Sequence, residues 1–309
     1  MNRRAWTLLL VLAALWGSSY LFIKVALDEL SPAMIVFSRT ALAALILLPF
    51  ALATGALAGL RGRSRAVVAL AFVQIAAPFA LITFGERYIS SSLTGILVAS
   101  APIFTALLAP FLDHAERSSG MRLVGVWVGI VGVAVLLGFD AGDGPLALAG
   151  GLMVVLAGAC YALAGFYFKR RFADVAPVGA VTVAMVAVAA ILAVPAALSA
   201  PTEMPEAITL GALAALGVGG TGIAFVIFYT LLGTVGPALT SIVAYIAPGF
   251  AVIYGVLLLD ERFTIFTLLG LTLILAGSWL AAGGRLVPCR RAPARAPIAT
   301  PEIERRVVQ

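Results

Sequence analysis

The feature that most constrains this chain is the recurrence of apolar runs about twenty residues long, with charge confined to their ends. A run of that length lets a helix cross the hydrocarbon of a bilayer. A membrane-spanning β-strand would instead alternate apolar and polar positions over roughly ten residues. Bounded by charge, Pro or Gly, the runs predict helices at roughly 6–27, 32–53, 66–85, 91–112, 121–139, 147–168, 177–198, 208–230, 236–259 and 264–283. Composition agrees, since 62% of residues are hydrophobic and only 11% charged. A chain like that cannot cover its surface with polar groups in water. The fold class expected is therefore an all-α integral membrane protein of ten transmembrane helices. Arg3 and Arg4 before the first run resemble the start of a secretory signal, but the run continues through Leu27 without a small-residue cleavage pattern, so it reads as the first span.

Charge alternates along the loops in step with that count. One set holds Arg3 and Arg4, then Arg61, Arg63 and Arg65, then Arg117 and Arg122, then Lys169, Arg170 and Arg171. The other holds Asp28 and Glu29, Glu86 and Arg87, Asp140 and Asp143, Glu203 and Glu206, and Asp260, Glu261 and Arg262. Lys and Arg collect on the cytoplasmic side of membrane proteins. Both termini are thus expected in the cytoplasm, in a multi-pass protein of the cell inner (plasma) membrane. The expected division is a short cytoplasmic N-terminus at 1–5, five-helix units at 6–139 and 147–283, and a disordered basic tail at 285–309 whose arginines lie near anionic headgroups. The net charge of +6 then needs no nucleic acid to explain it. The partners expected are the lipid bilayer and a small-molecule substrate. Oligomeric state is left open, and a monomer is compatible with every feature read here.

Self-comparison shows an internal repeat. A shift of about 145 residues brings Trp16 onto Tyr161, Lys24 onto Lys169 and Pro32 onto Pro177. Further on, Leu93-Thr94 meets Leu239-Thr240, Pro102 meets Pro248, and Glu116-Arg117 meets Glu261-Arg262. Each copy holds five spans, an odd number, so the second enters the membrane from the opposite side. Inverted repeats of this kind recur in secondary transporters, with the solute held near the midplane between the halves.

The residues also resemble a known family. Trp16-Gly17-Ser18-Ser19-Tyr20-Leu21-Phe22-Ile23-Lys24, Phe37-Ser38-Arg39-Thr40-Ala41-Leu42, Ala101-Pro102-Ile103-Phe104 through Glu116-Arg117, and Ala247-Pro248-Gly249-Phe250 to Asp260-Glu261-Arg262-Phe263-Thr264 look like the EamA-type branch of the drug/metabolite transporter superfamily. The resemblance spans 6–283. It implies ten helices in two inverted repeats and, commonly, export of amino acids or related metabolites. Arg39 departs from the symmetry, because Ala184 occupies its place in the second half.

Polar groups at membrane depth are costly unless they are partnered or wetted, which makes each one a functional candidate. Trp16, Tyr20 and Lys24 share one face of the first helix at four-residue spacing. They read either as an aromatic wall leading to a cation or as an interfacial belt with Lys24 paired to Asp28. Gln74 lies mid-span with Pro78 a turn later, and an amide there contacts solute or ties helices together. Pro102 and Pro248 occupy matching places, where broken helices point to a transporter site. Ser100 and Tyr245 neighbour them. Tyr161 is the repeat partner of Trp16, and Phe225 and Tyr229 share a face of the eighth span. Among the charges, Arg39 is expected to pair with Glu86 or Asp28 as a structural clasp, with a substrate-carboxylate role as the alternative. Glu116 and Glu261 read as symmetric caps or gate latches.

Other classes fit poorly. The only histidine, His114, falls in a short loop, and Cys160 and Cys289 are too differently placed to bridge. No P-loop, metal-ligand set, cofactor motif or helix-embedded histidine for nucleophilic catalysis is present, so an enzyme is not expected. No carboxylate is placed clearly at mid-membrane, which argues against obligatory proton coupling. A channel lacks polar residues to line its path. A lipid or lipid-linked-sugar flippase of the same architecture, or a receptor or scaffold without transport, are the remaining rivals. The reading reached is a secondary transporter working by alternating access around a largely apolar and aromatic cavity.

Overall fold

The computed structural model describes residues 3–112, 120–140 and 144–283, and every regular element among them is helical. We number the rods α1 (Arg3–Ala26), α2 (Pro32–Ala53), α3 (Ser64–Gly85), α4 (Ser91–Leu112), α5 (Gly120–Phe139), α6 (Pro145–Arg171), α7 (Pro177–Leu198), α8 (Ala207–Val235), α9 (Pro237–Leu258) and α10 (Ile265–Ala281). The first nine are long and apolar enough to cross a membrane. At 17 residues α10 is shorter, about 25 Å. Helices answer the solvent: without water to bond to, each backbone N–H and C=O must find its partner within the chain. Glu116, His114, Cys289 and the basic tail lie outside the described residues.

Local chemistry sets the ends. Ser31 and Ser90 each accept an N–H from the first turn of the next helix, Met34 and Leu93 respectively, both at 3.2 Å. Proline opens α2, α6, α7 and α9, where its missing N–H costs nothing. The last turn of α6 extends to Arg171 rather than stopping near 168. Lys169, Arg170 and Arg171 there complement the negative end of the helix dipole.

The contacts between helices map onto themselves when the two halves are exchanged. α1 packs on α9 and α8, and correspondingly α6 packs on α4 and α3. The pairs α2–α7 and α5–α10 each contain both copies of one helix. In the last pair the backbones touch directly: a Cβ added to Gly277 would collide with the backbone of Gly129 and Gly125. Lipid tails provide no hydrophobic drive between apolar helices, so such close approach of small residues is what holds them together.

Two departures from regular helix also match. Phe72–Ala76 in α3 and Ala215–Ile223 in α8 form π-helical turns at positions related by the repeat. Wide turns of this kind cluster at functional sites. The breaks near the matched prolines do not match. α4 is interrupted after Val98, just before Pro102, whereas α9 is interrupted after Thr240 and runs helically through Pro248.

The loops sort into two ends. At the acidic end, Ser31 meets Ser199 (2.7 Å), Glu29 accepts the Glu206 N–H (2.9 Å), and Asp140 accepts the hydroxyls of Thr264 (2.8 Å) and Thr267 (2.6 Å). At the basic end, Arg63 forms a two-pronged bond to Asp174 (2.8 and 2.5 Å), and Arg170 donates to the Leu112 carbonyl. Arg63 holds the exposed Asp174 carboxyl below its ordinary range through that hydrogen bond.

Candidate functional site

Aromatic rings fill the centre between α1 and α8. Trp16 lies edge-on to Phe225, with centroids 6.2 Å apart, and tilted against Phe228 at 5.3 Å. Phe225 stacks on Tyr229 at 5.9 Å. Gln74, carried on the wide turn of α3, faces the Tyr229 hydroxyl and leaves its own Oε1 buried without a hydrogen-bond partner. Pro78 is buried a turn further on. Trp16, Phe225 and Tyr229 thus lie in one chain of ring contacts, with Gln74 against its Tyr229 end.

A separate cleft of about 280 Å³ is lined by Pro102 and Thr105 of α4, Arg122 of α5, Tyr161 of α6, and Ala244 and Ala281 of α9 and α10. That volume suits a small solute. Both halves contribute walls. Ser100 does not face the opening: it is fully buried, and its hydroxyl turns back onto the Leu97 carbonyl at 2.6 Å. Tyr245 reaches towards the Ser278 carbonyl at 3.4 Å, while the Ser278 hydroxyl donates to the Ala99 carbonyl at the break in α4 (2.9 Å). The broken ladder is thereby satisfied from α10. Pro248 is buried inside α9.

The charges are arranged differently from expectation. Lys24 does not pair with Asp28; its ammonium donates to the carbonyls of Glu86 (2.7 Å) and Ile89 (2.9 Å), tying α1 to the end of α3. Arg39 does not pair with Glu86 or Asp28 either. Its Nε donates to the Thr221 hydroxyl at 2.8 Å, and its guanidinium lies 3.7 Å over the Phe79 ring. Thr221 is available because the wide turn of α8 directs its hydroxyl to the Leu216 carbonyl five residues back. The aromatic face and the turn together hold an arginine that forms no ion pair with a described acid, although the charge of Glu86 is near enough to act on it. Among the described residues the sole ion pair is Arg63–Asp174.

Glu261 joins the two halves. Its carboxylate accepts the N–H of Ser91 (2.7 Å), the N–H of Ser92 (2.9 Å) and the hydroxyl of Ser92 (2.5 Å). A carboxylate on the free N–H groups of a first helical turn is favoured by bonding and by the dipole. Glu86 behind it is completely buried, and neither carboxyl oxygen has a hydrogen-bond partner. Phe79, Thr221 and the wide turns were not foreseen. The available signal was the run Gly217-Val218-Gly219-Gly220-Thr221-Gly222, whose small residues let a polar group approach a neighbouring helix.

Comparison with known proteins follows the same division of the chain. The profile of the EamA-like transporter family matches residues 4–138 and again 148–283. An uncharacterized inner membrane transporter of Escherichia coli K12, YedA, is 26% identical over 295 residues, 94% of both chains. The uncharacterized transporter YdfC of Bacillus subtilis is 25% identical, covering 84% of this chain and 85% of its own. A probable amino-acid metabolite efflux pump of Escherichia coli K12 is 27% identical, covering 92% and 96%. A solved crystal structure superimposes with a TM-score of 0.64 at 20% identity over 91% of this chain and 97% of its own, a likeness of fold.

Proposed function

Because the chain belongs to the EamA-like transporter family, a family of membrane transporters rather than enzymes, we propose that it exports amino acids or closely related metabolites by alternating access. The observation that carries this reading is the one-sided arrangement of the site. A cleft reaches Pro102 and Tyr161 between the halves, while Glu261 and Lys24 tie the acidic end shut. A site open at one end and closed at the other is one of the two states that alternating access requires. The name of the amino-acid metabolite efflux relative supports the substrate class.

In this reading the basic end faces the cytoplasm of the inner (plasma) membrane, following the bias of Lys and Arg. Solute enters the cleft from that side and moves against the aromatic surface of Trp16, Tyr20, Phe225 and Tyr229, with Gln74, Tyr161 and Tyr245 as polar contacts. Breaking the Glu261 and Lys24 ties then releases it outward. The test is efflux of a mixture of radiolabelled amino acids from proteoliposomes containing the purified protein. Saturable efflux that is lost in Trp16→Ala and Gln74→Ala supports the reading. A folded protein that moves no amino acid defeats it and leaves lipid flipping as the rival.

A further inference from the structure

An uncompensated guanidinium in a membrane interior is expensive, and a purely structural arginine is ordinarily retained there with an acid beside it. Arg39 is only 8% exposed, and no carboxylate lies within ion-pairing distance of it among the described residues. Its Nε is committed to Thr221 and one face of its plane to Phe79. The two terminal nitrogens make no hydrogen bond to the described residues, yet they are not among the buried polar atoms sealed without a partner, which belong to Gln74, Glu86 and Ser91. The fork therefore keeps free donors that the described residues do not engage. The hydroxyls of Tyr20 and Tyr161 share that condition, and both rings stand close enough to Arg39 for their charges to couple. Tyr161 also lines the cleft, so the space before Arg39 borders the solute path.

We propose that Arg39 is the anchor for a substrate carboxylate, received end-on by its two terminal nitrogens and flanked by the Tyr20 and Tyr161 hydroxyls. The planar fork matches a carboxylate in two parallel hydrogen bonds, a geometry a lysine cannot reproduce. Thr221 and Phe79 fix the plane beforehand, so little side-chain freedom is lost on binding. The charges nearby leave the role open to a ligand. Lys24 is occupied by two backbone carbonyls, and Glu86, whose charge is near enough to act on Arg39, makes no hydrogen bond to it and leaves the terminal nitrogens unengaged. Specificity follows: the transported solute carries a carboxylate, and masking it abolishes recognition. This inference rests on the exporter reading but is testable apart from it.

The experiment compares acids with their amides by ligand-induced thermal stabilisation of the full-length protein in detergent. The probes are L-leucine and L-phenylalanine, their carboxamides, and the amine-free acids isocaproate and hydrocinnamate. Acids are expected to stabilise the wild type and amides to have no effect. Arg39→Lys is expected to weaken acid binding about 10- to 100-fold, the range for losing a charge-assisted hydrogen bond. Arg39→Gln is expected to erase the preference of acid over amide. If either variant fails to fold, the acid–amide comparison on the wild type decides. Equal effects of acids and amides, no binding of any acid, or an unchanged preference in a folded Arg39→Gln protein each overturn the proposal. Binding of isocaproate and hydrocinnamate without the amino acids keeps Arg39 as a carboxylate anchor and defeats the amino-acid reading alone.

Discussion

Replacing Glu261 by Ala removes the three hydrogen bonds that hold the start of α4 to the second half at the acidic end. A typical hydrogen bond contributes about 1 kcal/mol net, and bonds to charged groups about 1.5–3. Because Glu261 is only partly buried and the freed N–H groups can be hydrated once the end opens, the ordinary value of about 1 kcal/mol per bond applies. Three bonds then bias the closed end by about 3 kcal/mol, or roughly 100-fold in the ratio of closed to open protein. Glu261→Gln keeps an acceptor oxygen but loses the charge, and it should cost about half as much. The reporter is a cysteine at Thr94, which is completely buried one turn inside the tie, in a protein whose Cys160 and Cys289 are changed to Ser. Labelling by a bulky polar maleimide should be slow in the parent, faster in Glu261→Gln and fastest in Glu261→Ala. Equal rates in all three would refute the argument that this carboxylate holds the acidic end closed.

Three further outcomes follow. Gly277→Leu forces a side chain into the backbone of Gly129 and Gly125, so α10 should detach from α5, with loss of monodisperse protein on size exclusion. Glu86→Gln retains the shape of a buried group whose carboxyl oxygens have no hydrogen-bond partner while removing its capacity for charge. Its melting temperature at neutral pH should equal or exceed that of the wild type, and a marked drop would mean that the carboxylate is partnered after all. At the basic end, Arg63 lowers the Asp174 carboxyl, so this clasp contributes above the ordinary carboxylate range and is lost as pH falls through the lowered value. The difference in melting temperature between wild type and Asp174→Asn should accordingly be small, present at neutral pH, and absent in acid or high salt.

Much of the architecture was legible before any coordinates. Ten apolar runs demand ten spans because the bilayer leaves no other way to satisfy the backbone, and the matched Trp16/Tyr161, Pro32/Pro177 and Pro102/Pro248 expose the repeat. Helical spacing alone put Phe225 and Tyr229 on one face, because period is local; that Trp16 of another helix meets Phe225 was not legible in it. The charges could not be assigned that way. Lys24 has Asp28 one turn along its own chain, yet it bonds carbonyls at 86 and 89; Arg39 passes over two acids for Thr221 and Phe79.

What the sequence by itself determined is the environment of this protein, the number of its helices and which of them are copies of one another, since these follow from apolar length and from repetition along one chain. Only the tertiary structure decided which polar groups meet. That choice depends on approach between helices distant in sequence and on the wide turns at Phe72–Ala76 and Ala215–Ile223. Hydrogen bonds are short-ranged and directional, so a shift of one residue in a turn redirects a hydroxyl. The turn that aims Thr221 at Arg39 is what fixes the guanidinium through its Nε.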